Sequence, residues 1–80
     1  AYAFNRDKGQ CKVCGEPIIG YELETHHIKP KLPTSLVNKV SNLASVHQTC
    51  HKLIHKGLDA SKMVKAKVNQ KILKYRERLS

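Results

Sequence analysis

Two short segments in the first half of the chain mix apolar and polar residues in the way that β-strands do. Residues 18–28 (IIGYELETHHI) combine β-branched and aromatic side chains, and residues 42–47 (NLASVH) alternate imperfectly between apolar and polar positions. Short segments of this kind predict strands. Pro30 and Pro33 follow the first segment. They predict its end and a loop over residues 31–41 with one helical turn at 36–40.

The remaining segments predict helices and turns. Residues 49–56 contain neither Gly nor Pro, and Gly57 stands where a helix C-terminus favours glycine. Farther on, Val64, Val68 and Ile72 recur every fourth residue, which predicts an amphipathic helix over about 59–79, capped by Asp59 or Ser61. Residues 1–10 predict a short helix or turn, and residues 11–15 (CKVCG) predict a tight loop in which the glycine takes a positive φ.

The chain length limits how much core these elements can share. Eighty residues predict a single small domain over 1–80, and domains of this size bury only roughly 60% of the surface of the unfolded chain. No apolar run approaches the ~20 residues of a membrane span. Three cysteines leave one over after any disulfide pairing, which favours a reducing, cytoplasmic location. The start at Ala-Tyr-Ala without Met suggests a piece of a longer polypeptide.

Charge indicates the class of partner. The formal net charge is +9, and residues 56–80 hold eight Lys and Arg against two acids, a net charge of +6. A polyanion, above all nucleic acid, is the leading partner, while an acidic protein or a charged membrane surface stays open. Four aromatic residues and no Trp argue against the stacking platforms of single-strand binders.

Cysteine and histidine occur in two pairs with one spacing. Cys11 and Cys14 are separated by two residues, and so are His47 and Cys50. Thiolate and imidazole ligands in such pairs favour Zn²⁺ in a closed tetrahedral site. Because a structural Zn²⁺ contributes ~10 kcal/mol or more in small modules, this site would offset the thin core. The alternative is that the thiols are free and behave as small buried hydrophobes.

The other histidines form a second group. His51 and His55 are four residues apart on a predicted helix, so their rings share one face. With His26 they make three imidazole ligands, which leave open positions for water and a phosphate, as a catalytic metal requires. His27 adjoins His26 on a predicted strand, where neighbouring side chains point to opposite faces. A neutral imidazole accepts a proton from water at physiological pH, so His27 is a candidate general base.

These features together resemble one family. Residues 24–30 (ETHHIKP), then Asn42-Leu43, then Cys50-His51 followed by His55, are similar to the His-Asn-His (HNH) endonucleases. The two Cys and His pairs resemble the zinc-stapled branch, including the C-terminal domains of group II intron reverse transcriptases. The resemblance implies an α+β fold of the small ββα-metal (His-Me finger) type around residues 6–57. A structural zinc site and the basic C-terminal helix over about 59–79 are expected to accompany it.

The resemblance also assigns roles. It implies that His27 is the general base and that the three clustered imidazoles hold the catalytic ion. Asn42 matches the middle Asn of the motif, which fixes the loop between the strands, and Glu24 matches an acidic position that orients a histidine or ligand. Taken without the resemblance, Asn42 is typical of a turn and Glu24 of a solvated strand position.

The expected function is hydrolysis of DNA phosphodiester bonds by a one-metal mechanism. The expected cofactors are structural Zn²⁺ and one catalytic divalent ion, Mg²⁺, Mn²⁺, Ni²⁺ or Zn²⁺, and three imidazoles favour the softer ions over Mg²⁺. Lys29, Lys31 and Lys52 are candidate DNA contacts. Two other classes remain open: a zinc-stapled DNA-binding module without catalysis, and a zinc module that binds another protein.

Overall fold

A computed structural model describes residues 2–80 and shows six helices and strands in this part of the chain. In order they are α1 (Tyr2–Arg6), β1 (Leu23–His27), α2 (Thr34–Val37), β2 (Leu43–His47), α3 (Gln48–Lys56) and α4 (Ala66–Glu77). Short 3₁₀ turns at Gly20–Glu22 and Val40–Asn42 lead into the two strands. The expectation of a small α+β fold is confirmed, and its strand-strand-helix order is that of the ββα-metal fold.

The sheet of the described chain consists of β1 and β2, which are antiparallel. The register pairs His26 with Ala44 and Leu23 with His47. Since side chains alternate between faces, His26 points into the interior, where it is almost fully buried, and the half-buried His27 points the other way. One strand therefore presents two adjacent imidazoles to two different environments.

Two helices cover the inner face of the sheet. Ile54 of α3 and Ile72 of α4 are fully buried together with Val46 of β2, because the apolar faces of both helices are turned inward. Arg76 of α4 donates hydrogen bonds to the carbonyls of Leu53 and Leu58 at 2.6 and 2.5 Å. This contact satisfies carbonyls at the end of α3 and joins the two helices.

The N-terminal helix is held against β2 by a charged pair. Arg6 binds Asp7 and also donates to the carbonyl of Leu43 at 2.7 Å, while Asp7 accepts the backbone N–H of Ser45 at 3.0 Å. Burial acts to raise the pKa of Asp7, but the hydrogen bonds from Arg6 and Ser45 outweigh it and hold that pKa below its usual range.

Helix and strand boundaries differ from the expectations at three places. The predicted strand 18–28 is shorter, because Ile18 is buried and its N–H bonds to the Gly9 carbonyl beside the CKVCG loop instead of joining the sheet. The helical turn expected at 36–40 lies earlier, in α2. The predicted helix 59–79 begins only at Ala66, so Asp59 and Ser61 do not cap it; the Asp59 carboxylate accepts the Ser61 N–H in a turn.

Other local expectations hold. Gly15 closes the CKVCG loop with φ +80°, and Gly57 ends α3 with φ +67°, both in the left-handed region that favours glycine. The short N-terminal helix is present from residue 2, and Ala1, the first residue of that prediction, lies outside the described residues. Within residues 2–80, none of the helices has the length and apolarity needed to cross a bilayer.

Candidate functional site

The first candidate metal site joins the N-terminal loop to the start of α3. Cys11 and Cys14 lie in the CKVCG loop, His47 is the last residue of β2, and Cys50 lies in the first turn of α3. One ligand atom from each lies within 4.8 Å of every other. We call these four residues the Cys₃His cluster. Its composition fits a closed tetrahedral zinc site, and the cluster can hold structural zinc.

Hydrogen bonds to sulfur change the pKa values of the cysteines in this cluster. The thiol of Cys50 and backbone N–H groups, including those of Val13 and His47, donate to the sulfur of Cys11 and lower its pKa to about 4, against the opposing effect of burial. The hydrogen bond to Cys11, together with burial and the charge of Cys11, in turn raises the pKa of Cys50, and burial raises the pKa of Cys14. These contacts therefore favour a thiolate at Cys11, while Cys14 and Cys50 would lose their protons on binding zinc.

His47 has a fixed orientation in this cluster. Its Nε2 lies 2.9 Å from the carbonyl of Pro17 and donates to it, so in the neutral ring Nδ1 carries no proton; this atom lies 3.3 Å from the sulfur of Cys14. Sulfur and nitrogen ligands on one tetrahedral zinc are about 3.5 Å apart, as bond lengths of ~2.3 and ~2.0 Å require. A second hydrogen bond that fixes the ring of a metal-binding histidine is a usual feature of such sites.

The second cluster consists of His26, His51 and His55, which we call the His trio. One ring nitrogen of each lies within 4.8 Å of the others, and the Nε2 atoms of His51 and His55 are 3.2 Å apart. Two nitrogens on one tetrahedral ion at ~2.0 to 2.1 Å are about 3.3 Å apart, so the spacing suits a shared cation. The i and i+4 positions on α3 place two of the rings, and β1 supplies the third.

His26 shows most clearly that this cluster suits a cation. The residue is 1% exposed, and within the described chain neither of its ring nitrogens has a hydrogen-bond partner. Burial, with the charges of His51, His55 and His27, lowers the pKa of His26 to about 4. Its ring is therefore neutral at physiological pH and has a free lone pair. Because buried polar atoms are nearly always paired, an orphaned imidazole beside two others fits the position of a metal ligand.

Glu24 contacts the His trio from outside. Its Oε1 lies 2.6 Å from Nδ1 of His51. This hydrogen bond requires a proton on Nδ1 and leaves Nε2, the atom nearest His55, available as a ligand. The sequence position two residues before His26 places Glu24 on the same face of β1, so alternation along the strand brings it to α3.

His27 follows His26 on β1, and its side chain leaves the other face of the strand. Its Nε2 is 2.9 Å from Oδ1 of Asn38, an exposed residue directly after α2. Because an amide oxygen only accepts, Nε2 is the donor of this bond, and Nδ1 is the ring nitrogen not engaged in it. Sequence reasoning missed Asn38: nothing in its surroundings distinguishes it from an ordinary turn residue, and only the folded loop brings it to His27.

Asn42 ties together the loop between the strands. It is 5% exposed, its Oδ1 accepts the N–H of Lys29 at 2.9 Å, and its Nδ2 donates to the carbonyls of Lys29 and Val37 at 3.2 and 2.9 Å. The N–H of Ile28 also bonds to the Asn42 carbonyl. These bonds hold the chain that follows His27, and Asn42 belongs to neither cluster of ligands.

The three lysines considered as DNA contacts occupy two places. Lys29 and Lys31 are exposed in the loop after β1, close to His27 in sequence, and line one cleft with Arg78. Lys52 is exposed on α3, next to His51 in sequence. The structure therefore brings two of them into a common cleft and leaves Lys52 on a separate surface.

Comparison with known proteins agrees with this arrangement. A family model described as HNH endonuclease matches residues 11–57, more than half of the chain. The matched range contains both clusters, both strands and α3. Comparisons with curated proteins and with solved structures gave no significant match. Members of the matched family are generally metal-binding nucleases that act on nucleic acid. With two strands, a helix and a metal-compatible histidine cluster inside the matched range, the chain belongs to the HNH endonuclease family.

Proposed function

We propose that this chain is a metal-dependent endonuclease that hydrolyses DNA phosphodiester bonds, with His27 as general base and the His trio as the site of one catalytic divalent ion. The observation that carries the proposal is that two adjacent histidines of β1 face opposite sides of the strand. His26 faces inward to two further imidazoles, while His27 faces outward and is oriented by Asn38. A purely structural zinc module needs neither of these features.

The Cys₃His cluster supports assignment to the zinc-stapled branch of the family, the branch found at the C-terminus of group II intron reverse transcriptases. We propose accordingly that residues 1–80 form one domain of a larger polypeptide. In this organisation the nuclease core occupies about 6–57, and the basic helix follows it. Structural zinc at the Cys₃His cluster would stabilise a domain whose buried apolar core is small.

In the proposed mechanism, Nδ1 of His27 removes a proton from the attacking water while Nε2 donates to Asn38. Asn42 keeps the strand and the following loop in position through its hydrogen bonds to Lys29 and Val37. The His trio, with His51 oriented by Glu24, would hold the divalent ion, which would supply Lewis-acid stabilisation of negative charge on the phosphate and the leaving 3′-oxygen. Family resemblance implies 5′-phosphate and 3′-hydroxyl products.

A plasmid-nicking assay tests this proposal. Zinc-loaded protein should convert supercoiled DNA to the nicked form with Mg²⁺, Mn²⁺ or Ni²⁺ and lose this activity in EDTA. His27→Ala should lower the rate by at least ~10²-fold, the usual contribution of a general base, with unchanged zinc content and circular dichroism. Thr25→Ala is the matched control, because Thr25 is exposed on the same face of β1. Nicking by His27→Ala at the wild-type rate would refute the assignment.

The second candidate function is a zinc-stapled DNA-binding module without catalysis, which the basic surface favours. It predicts salt-sensitive DNA binding with no metal-dependent nicking under any of the ions tested. A protein-interaction zinc module predicts neither nicking nor salt-sensitive DNA binding. The same assay, accompanied by a binding measurement, therefore separates the three classes.

A further inference from the structure

Three clefts on the surface lie next to one another and are lined by basic side chains. Lys12 and Lys71 line both the cleft at the N-terminal loop and the cleft along α4, and Arg78 lines both this second cleft and the one beside Lys29. Because adjacent clefts share residues, they follow one another from the CKVCG loop, along α4, to the loop after β1. We define the basic track as Lys12, Lys71, Lys74, Arg78, Lys29 and Lys31.

The charges of the basic track are exposed and uncompensated. All six side chains are exposed, and none of them forms a salt bridge with any residue of the described chain. Of the acidic residues lining the three clefts, Asp7 is paired with Arg6, which leaves Glu77 as the one exposed carboxylate. By contrast, the guanidinium of Arg76 on the same helix donates hydrogen bonds to the carbonyls of Leu53 and Leu58.

The helix spacing of the track matches a repeating anion. Lys71 and Lys74 on α4 and Arg78 at its C-cap follow one another at i, i+3 and i+7, while Ile72 and Tyr75 between them are buried. Seven residues of helix rise about 10 Å, close to three phosphates of one strand at ~3.4 Å each along a duplex axis. A linear array of cations with this reach favours a nucleic-acid backbone over a single small anion.

The track also leads to the proposed catalytic face. Lys29 and Lys31 follow the strand that carries His27. In the last turn of α4, the ring of Tyr75 packs edge-on against His26 with centroids 5.5 Å apart. Tyr75 is the one aromatic residue that lines the three clefts, and it is buried, so stacking on unpaired bases has no platform here. Charge without stacking residues suits the backbone of double-stranded DNA.

We propose that the basic track binds the phosphate backbone of duplex DNA flanking the cleaved bond, which makes α4 a second DNA-binding element outside the part of the chain that matches the family. This inference rests on the proposed function for the identity of the substrate. The contacts are to phosphates, so binding is salt-dependent and largely independent of sequence.

Two charge-matched triple variants test the track. The track triple variant removes three charges of the basic track and carries Lys12→Gln, Lys71→Gln and Lys74→Gln. The control triple variant removes three exposed charges that line none of the three clefts and carries Lys62→Gln, Lys65→Gln and Lys67→Gln. Both variants are made in zinc-loaded His27→Ala protein. Fluorescence anisotropy with a labelled duplex of about two helical turns measures affinity between ~50 and 200 mM salt.

The track triple variant should reduce the slope of log K against log salt by about 3, and weaken binding more than tenfold at ~100 mM salt. The control triple variant should keep most of the parental slope. Equal losses in both variants would overturn the proposal, because they would reflect total charge alone. Unchanged binding in both variants would also overturn the proposal. So would the finding that the parent protein binds polyglutamate but does not bind DNA.

Failure of the track and failure of the nuclease assignment give different results. If protein with His27 intact nicks plasmid while the two triple variants bind alike, the track is wrong and the nuclease stands. If that protein never nicks but the track triple variant selectively loses the salt-dependent binding, the track stands and the nuclease assignment falls.

Discussion

The carboxylate of Glu24 offers a test of how the His trio is oriented. Its Oε1 accepts a hydrogen bond from Nδ1 of His51 at 2.6 Å, which directs Nε2 of that ring toward His55. Glu24→Gln keeps the length of the side chain and an oxygen acceptor but removes the negative charge. We predict that this variant binds the catalytic divalent ion about tenfold more weakly.

The magnitude follows from the exposure of the pair. Carboxylates that orient a metal-binding histidine typically change metal affinity by 10- to 100-fold, or about 1.4 to 2.8 kcal/mol. The side chains of His51 and Glu24 are 23% and 38% exposed, so water screens their interaction. The glutamine oxygen also still accepts the hydrogen bond. Both considerations place the expected loss near the lower end of the range.

The assay is the rate of plasmid nicking as a function of Mn²⁺ or Ni²⁺ concentration, on zinc-loaded protein. Glu24→Gln should raise the metal concentration for half-maximal rate about tenfold and leave the rate at saturating metal little changed, because Glu24 acts through His51. Glu16→Gln removes the same charge from an exposed position and should behave as wild type. The reasoning fails if the metal requirement is unchanged, or if only the saturated rate falls.

Three further predictions concern the loop between the strands and the N-terminal pair. Asn42→Ala should lower the free energy of unfolding in urea by about 2 kcal/mol or more, because the three hydrogen bonds of the Asn42 side chain are lost. Unchanged stability would exclude the anchoring role. Asn38→Ala should lower the nicking rate about tenfold with an unchanged metal requirement, which is a fraction of the ~10²–10⁴-fold contribution of a general base. Asn38→Asp keeps an acceptor for His27 and should restore activity. Failure of Asn38→Asp to do so would contradict the positioning role. The pKa of Asp7 is lower in the folded protein than in the unfolded chain. The stabilisation that the Asp7 carboxylate contributes is therefore present above pH ~3.9, the pKa in the unfolded chain, and is lost as the pH falls through the pKa in the folded protein. Asp7→Asn should therefore be less stable by about 1–3 kcal/mol at neutral pH and lose less stability on acidification in urea titrations, whereas a parallel pH dependence would contradict this.

Sequence spacing alone was enough to group the metal-compatible residues. His51 and His55 share a helix face because four residues make about one turn, and Cys11 and Cys14 share a loop because two intervening residues make a tight turn. Such short-range geometry is set by backbone periodicity and needs no knowledge of tertiary structure. The opposite directions of His26 and His27 follow equally from strand alternation.

Features that depend on tertiary contacts were not accessible from the sequence. Asn38 reaches His27 because the loop held by Asn42 folds back on β1, and no local pattern encodes that approach. The basic track brings Lys12 beside Lys71, residues far apart in the chain, through the packing of α4. The start of α4 was predicted too early because Asp59 has a capping side chain, but its carboxylate serves a local turn.

The helix α3 connects the two clusters of metal-compatible residues. Cys50 in its first turn belongs to the Cys₃His cluster, and His51, the next residue, belongs to the His trio. His47 ends β2 directly before the helix, so an ion in the Cys₃His cluster would fix both the start of α3 and its angle to the sheet. The position of His51 relative to His26 is therefore coupled to that cluster as well as to the apolar core. In so small a domain, the order supplied by a structural zinc can be transmitted to the catalytic residues along one turn of helix.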